Sequence, residues 1–186
     1  MNAATNTMSS DPARGDMLIL VDGLDRPVGT ATKEDAHRQG LLHRAFSVVL
    51  TREHEGTTEV LLSQRAAGKY HSGGLWANSC CSHPREDESV VDAAYRRVRE
   101  ELGCEACGLR EVAAFAYRAP FDNGLVEHEY DHVLVGTCVG ELAPDPSEVS
   151  GVRWASVDEV ARELANAPGV WCAWAPMALS LALRDL

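Results

Sequence analysis

Asn78-Ser79-Cys80-Cys81-Ser82-His83-Pro84 is followed by Glu88 and then by Arg96-Arg97-Val98-Arg99-Glu100-Glu101-Leu102-Gly103. Between them, Val90, Val91, Ala94, Val98 and Leu102 recur at the spacing of one helix face. Asp87-Glu88 supplies a start signal for that helix and Gly103 its stop. A turn carrying thiols and an imidazole thus feeds a helix that ends in paired carboxylates, which is the layout of a site.

Working outward, Met17-Leu18-Ile19-Leu20-Val21 followed by Asp22-Gly23 predicts a strand and turn, with a second short strand at Pro27 to Thr30. Thr32 to Gly40 predicts a polar helix closed by a C-cap glycine. Ala45 to Thr51 and Glu59 to Ser63 are β-rich runs separated by the polar stretch Arg52 to Thr58, which reads as a dispensable loop. Gln64 to Ser82 has no sustained period and is expected to be a long loop, a length that in compact domains is often functional. Downstream, strands are expected at Glu111 to Arg118, His128 to Val139 and Val152 to Trp154, and helices at Val157 to Ala165 and Trp171 to Leu183. This order predicts an α/β (α+β) fold with a mixed β-sheet sandwiched between helices.

The chain has 186 residues, 45% hydrophobic and 24% charged, enough for one domain, placed at 17–186. Residues 1–16 are small and polar with no apolar run and are expected to form a disordered leader, not a signal peptide. No stretch approaches the roughly 18 to 20 apolar residues of a membrane span, so a soluble protein with no membrane partner is expected. The net charge of −11 argues against nucleic acid as a partner. It does not exclude a small diphosphate, which can arrive with Mg²⁺ and be held by a few local cations. Six cysteines with no export signal point to a reducing cytoplasm, and a monomer is expected. Cys104-Glu105-Ala106-Cys107 has redox or zinc spacing but no second pair, and is taken as incidental.

Glu127-His128-Glu129 opens a predicted strand, where residues two apart share a face, so both carboxylates converge. Like charges that close need a cation or a proton. His37 and His43 precede a strand and His83 lies beside the thiols, so three imidazoles and two carboxylates can form an octahedral N/O site for Mg²⁺, Mn²⁺, Zn²⁺ or Fe²⁺. The alternative for His37 is a surface helix residue. His54, His71, His128 and His132 are taken as structural or exposed, the last two on the strand face opposite the glutamates. Cys80 and Cys81 are adjacent, so they face opposite ways and at most one reaches a site.

The segment carries a further pattern. Glu88, Arg96, Val98, Glu100, Glu101 and Gly103 fall in register with the Nudix box, while Ser82 replaces its first glycine and Arg97 the glutamate after its arginine. With the upstream Asn-Ser-x-Cys-x-His-Pro pattern, the chain resembles the type I isopentenyl-diphosphate isomerases, from about Leu18 to Met177. That resemblance implies isomerisation of isopentenyl to dimethylallyl diphosphate by protonation and deprotonation of an unactivated alkene. It selects Cys81 as one proton-transfer group, with Cys80 as the alternative if the register is wrong, and Glu129 with Tyr117 as the other. It implies a metal held by His37, His43, His83, Glu127 and Glu129, and a second Mg²⁺ bridging Glu101 and the diphosphate. Arg65, Lys69 and Arg97 are the implied substrate cations, and Trp171, with Trp76 second, the ring that stabilises the carbocation. The competing readings are a Nudix hydrolase acting on a nucleoside diphosphate and a non-catalytic Nudix-like binding module.

Overall fold

A computed structural model describes residues 17–186; the expected leader lies outside the described residues. In chain order the elements are β1 (Met17–Val21), β2 (Pro27–Thr32), α1 (Lys33–Gln39), β3 (His43–His54), β4 (Thr57–Arg65), β5 (Trp76–Ala77), β6 (Cys80–Ser82), α2 (Val90–Leu102), β7 (Glu105–Pro120), β8 (Val126–Val139), β9 (Val149–Ser156), α3 (Val157–Asn166) and α4 (Ala175–Leu183). The strands form one mixed sheet in which β3 runs parallel to β8, and every other pairing is antiparallel.

The period-2 alternation of the central strands divides the core. Phe46, Val48 and Leu50 of β3, Leu61 of β4 and Leu134 of β8 pack with Ala94, Val98 and Leu102 of α2. Val49, Val60, Leu62, Val133 and Val135 point to the other face, where α4 supplies Ala178, Leu179 and Ala182. The sheet is therefore sandwiched between helices, as the sequence pattern predicts. Helix α2 is capped by Ser89, whose side chain accepts from the Asp92 N–H, and ends at Gly103 with φ 66°. A Cβ on Gly103 would lie 2.5 Å from Ala143 O, so both backbone conformation and space require glycine there.

The centre of the sheet is forked. β3 and β4 pair only between Thr51–His54 and Thr57–Val60, around a Glu55-Gly56 turn with φ 49° and 75°. Toward their other ends the two strands separate, β3 pairing with β6 and β4 with β5. Asn78 and Ser79 close the fork. Asn78 Nδ2 donates to Val48 O (3.0 Å), Ser79 Oγ donates to Leu61 O (2.6 Å) and accepts from Leu50 N (2.8 Å), and Ser63 Oγ donates to Asn78 O (2.8 Å). These buried backbone groups would otherwise lack partners.

Three local expectations are corrected. Arg52 to Thr58 is not a dispensable loop; strand pairing continues to a two-residue turn, with Arg52 ion-paired to Glu59 at 2.7 Å. Gln64 to Ser82 is not loop throughout, because it contains β5 and β6. The last helix begins at Ala175, not Trp171, with Pro176 in its first turn, where a missing N–H is tolerated. Trp171 instead forms a backbone bridge with Trp76. Among the described residues, no helix is long and apolar enough to cross a membrane.

Candidate active site

The cleft opens at the fork, lined by Ser63 and Arg65 of β4, Ala77 of β5, Cys81 and Ser82 of β6, and Glu127 and Glu129 of β8, with Arg97 and Glu101 of α2 on its rim. Glu129 is placed by register on two sides at once: His43 lies opposite it on β3, and Tyr117 opposite it on β7. Tyr117 OH donates to Glu129 Oε2 at 2.5 Å, while His83 Nε2 and His43 Nε2 lie 2.9 Å and 3.6 Å from Glu129 Oε1. Two residues earlier on the same face, Glu127 Oε1 meets His37 Nε2 at 3.3 Å. The five residues expected to hold a metal are thus brought together. His37 is only 1% exposed, so it is not a surface helix residue.

Two of the three imidazoles, His37 and His43, are held in the tautomer a metal requires. His37 Nδ1 is 2.6 Å from Lys33 O and His43 Nδ1 is 2.9 Å from Leu41 O. A carbonyl only accepts, so each Nδ1 carries the proton and each Nε2 turns a lone pair inward. His37 Nε2, His43 Nε2 and Glu127 Oε2 are buried with no hydrogen-bond partner among the described residues. Burial pulls His83 down to about 4, outweighing Glu129, so this ring is neutral at physiological pH. Burial alone would raise the Glu129 carboxyl, but the imidazoles of His43 and His83 beside it prevail and hold it well below the usual carboxylate range. An ionised carboxylate pair facing inward lone pairs fits a divalent cation.

Cys81 and Cys80 face opposite ways, as strand geometry requires. Cys80 is 1% exposed and packs in the α2-side core. Cys81 sits across β3 from Ser47 and faces the cleft. Its thiol donates to Asn78 Oδ1 (3.1 Å), accepts from Trp174 Nε1 (2.9 Å) and lies 3.7 Å from Ser47 Oγ. Burial pushes this thiol well above its ordinary value. Asp131 is buried and accepts from Ser47 Oγ at 2.8 Å; burial and Glu129 push its carboxyl up, toward the neutral acid. Burial likewise raises Tyr117 well above the ordinary phenol, keeping the proton it donates.

The polar rim is a chain of alternating charges. Lys69 pairs with Glu148, and Arg97 pairs with Glu101, with Glu100 at 2.8 Å and with Glu148 at 3.8 Å. Glu101 is buried, and burial raises its carboxyl despite Arg97. Arg65 stacks over Trp174 at 5.3 Å, with its buried Nε unpartnered among the described residues. Arg65, Lys69, Arg97 and Glu101 all line the cleft. Glu88, by contrast, is held by a two-pronged hydrogen bond from Arg96, both contacts 2.8 Å, and braces α2.

Two placements depart from the sequence expectation. Trp174, and not Trp171, lines the cleft; Trp171 is buried in the α4-side core. Pro176 was the available signal, since it sets the helix start just beyond Trp174. His71, expected to be structural or exposed, is 6% exposed, lines the cleft, and brings Nε2 within 2.5 Å of Glu127 Oε1. His128 and His132 do lie on the face opposite the glutamates, bonded to Gly40 O and to Asp25 and Glu111.

Residues 41–175 match the NUDIX domain family. The chain is 49% identical to an isopentenyl-diphosphate Delta-isomerase of Burkholderia multivorans, over 84% of this chain and 87% of that protein. It is 46% identical to the enzyme of that name from Photobacterium profundum, over 92% and 96%, and 48% identical to that from Nocardia farcinica, over 88% and 92%. In fold, a Deinococcus radiodurans crystal structure superposes with a TM-score of 0.69 at 22% identity, covering 89% of this chain and 98% of that one. A MutT Nudix hydrolase from Burkholderia pseudomallei superposes at 0.59 with 19% identity, covering 75% and 97%. This chain belongs to the Nudix domain family and, within it, to the isopentenyl-diphosphate Delta-isomerases.

Proposed function

We infer that this chain is an isomerase interconverting isopentenyl diphosphate and dimethylallyl diphosphate in isoprenoid biosynthesis, with Cys81 and the Glu129–Tyr117 pair as its proton-transfer groups. The observation that carries the assignment of roles is that a half-buried thiol and a buried carboxylate, the latter bonded to a half-buried phenol, line one cleft rimmed by cations. An unactivated alkene is a very weak base, so the acid must be strong and dry and the developing tertiary cation must be stabilised. One group adds a proton to the terminal alkene carbon; the other takes a proton from the adjacent methylene, and the double bond moves with no net change in atoms. The reaction is reversible, so the two groups exchange roles with direction.

Cys81 is suited to this exchange because Trp174 N–H and the Ser47 hydroxyl adjoin its sulfur and can stabilise the thiolate left after donation. On the other side, Tyr117 can pass a proton to Glu129 Oε2 through an existing hydrogen bond. The Trp174 ring lies beside Cys81 and is our choice for the π face that meets the cation, in place of Trp171. A divalent ion held by His37, His43, His83, Glu127 and Glu129 would neutralise the carboxylate pair and help hold Glu129 in place, while Tyr117 donates to Glu129 Oε2. Three imidazoles favour Mn²⁺ or Zn²⁺ over Mg²⁺, which seeks oxygen. Mg²⁺ is assigned instead to the diphosphate, with Glu101. Arg65, Lys69 and Arg97 would grip the phosphate oxygens, the arginines in forked geometry and Lys69 as a point charge. Six free thiols support a cytoplasmic setting, and a monomer suffices because every assigned group comes from one chain.

A hydrolase reading is disfavoured because Arg97 stands at an α2 position where the Nudix box has a carboxylate, which leaves one acidic group fewer for metal chemistry on that helix. The test is incubation with isopentenyl diphosphate and Mg²⁺ in deuterated water, followed by NMR. Deuterium in dimethylallyl diphosphate with no phosphate released is expected; phosphate release would establish hydrolysis, and no change a binding module.

A further inference from the structure

His71 belongs neither to the turn pattern nor to the strand pattern that marks the other site residues. It lies on the segment between Lys69 and β5, and its ring is fixed on three sides. Phe121, from the β7–β8 turn, stacks on it at 4.5 Å with planes 11° apart; Ser72 Oγ is 3.1 Å from Nδ1; Nε2 is 2.5 Å from Glu127 Oε1. The side chain is 2% exposed.

The partner of Nδ1 separates this histidine from its neighbours. His37 and His43 offer Nδ1 to carbonyl oxygens, which forces the proton onto Nδ1 and leaves Nε2 as a ligand. Ser72 is a hydroxyl and can itself donate to Nδ1, which lets His71 carry its proton on Nε2, toward the carboxylate. His71 Nε2, like His37 Nε2 and His43 Nε2, meets no hydrogen-bond geometry among the described residues, and it lies near enough to His37 and Glu127 to share an ion; a proton on Nε2 would relieve its close contact with the carboxylate. We propose that His71 is a positioning residue, donating from Nε2 to Glu127 and so setting the angle at which this carboxylate meets the ion held by His37, His43, His83 and Glu129. The proposal rests on the metal reading given above and adds to it a role for the diphosphate loop. The same residue's backbone carbonyl lies 3.5 Å from Arg65 Nη2, and the adjacent Tyr70 carbonyl accepts from Asn123 Nδ2 at 2.8 Å. His71 therefore ties the loop bearing Arg65 and Lys69 to the metal end of β8.

The experiment is calorimetric titration of Mn²⁺ into the full chain, as wild type, His71→Phe and His71→Gln. Phenylalanine keeps the stack on Phe121 and removes the donor; the glutamine amide can restore a donor near the position of Nε2. The expected results are one site in the wild type, a Kd raised roughly 10- to 100-fold in His71→Phe, and a Kd within a few-fold of wild type in His71→Gln. Loaded to saturation with Co²⁺, wild type and His71→Phe should give the same visible spectrum, because no ligand atom is lost. Equal Mn²⁺ affinity in wild type and His71→Phe would overturn the proposal, and so would a changed Co²⁺ spectrum, which would make His71 a ligand. A wild type that binds no Mn²⁺ would instead sink the metal reading beneath it.

Discussion

Two regions of this molecule concentrate carboxylates, and they are neutralised in opposite ways. Around α2, Glu88 just before the helix and Glu100 and Glu101 within it are matched by Arg96 and Arg97 of the helix, through contacts of 2.8 Å to 3.2 Å and the Arg97–Glu101 pair. At the start of β8, Glu127 and Glu129 meet imidazoles, with nitrogen lone pairs turned inward by carbonyl partners on the far side of two rings. A guanidinium is always charged and closes the account within the chain. An imidazole in its neutral form offers a lone pair and leaves the carboxylates' charge to be met from outside. In the proposed reading α2 serves as scaffold and phosphate grip, and the demand for a cation falls on the strands.

The largest effects are expected where protons move. Cys81→Ala and Glu129→Gln should each lower kcat by about 10²- to 10⁴-fold, read by NMR conversion of isopentenyl diphosphate, with circular dichroism unchanged; near wild-type turnover in either removes that residue from its role. Tyr117→Phe keeps the ring and loses the proton donated to Glu129, so a smaller loss in kcat with KM nearly unchanged is expected.

Removal of the ion comes next. Saturating chelator should lower Tm in scanning calorimetry, since an ion at about 100 times its Kd contributes about 2.7 kcal/mol to the folded state. The affinity should also fall with pH. Burial pulls His43 down, yet the Glu129 carboxylate beside it outweighs burial and leaves its pKa raised. A raised value means the proton is held over a wider range, so protons compete with the ion increasingly as pH falls from neutrality. Affinity flat across that range would remove His43 from the ligand set.

Restoring a carboxylate with Arg97→Glu sharpens the comparison. It should weaken diphosphate binding about tenfold, seen as KM, and let α2 hold an ion without substrate. If hydrolysis appeared as well, Arg97 alone would separate the two activities. The smallest effect is structural: Gly103→Ala should cost at least about 1–2 kcal/mol in chemical denaturation, because an L side chain resists this backbone conformation and Ala143 fills the space. No loss would mean that the helix end shifts freely.

Much of this was legible because it is periodic. Glu127 and Glu129 share a face by strand alternation, Cys80 and Cys81 separate by the same rule, and α2 with its Gly103 stop follows from helix spacing. What escaped depends on contacts between distant segments. The fork between β3 and β4 exists because Asn78 and Ser79 bridge backbone groups of both strands, and no local pattern encodes that. His71 reads as a loop histidine until Phe121 and Glu127, far along the chain, close around it. Trp174 was hidden by a helix drawn too early, although Pro176 marked the true start.

Crystals of the chain soaked in Mn²⁺ without substrate, with anomalous diffraction at the manganese edge, test the contrast most directly. The account predicts one peak bonded by His37, His43, His83, Glu127 and Glu129, and none on α2. A peak on Glu88, Glu100 and Glu101 with the strand cluster empty would contradict it.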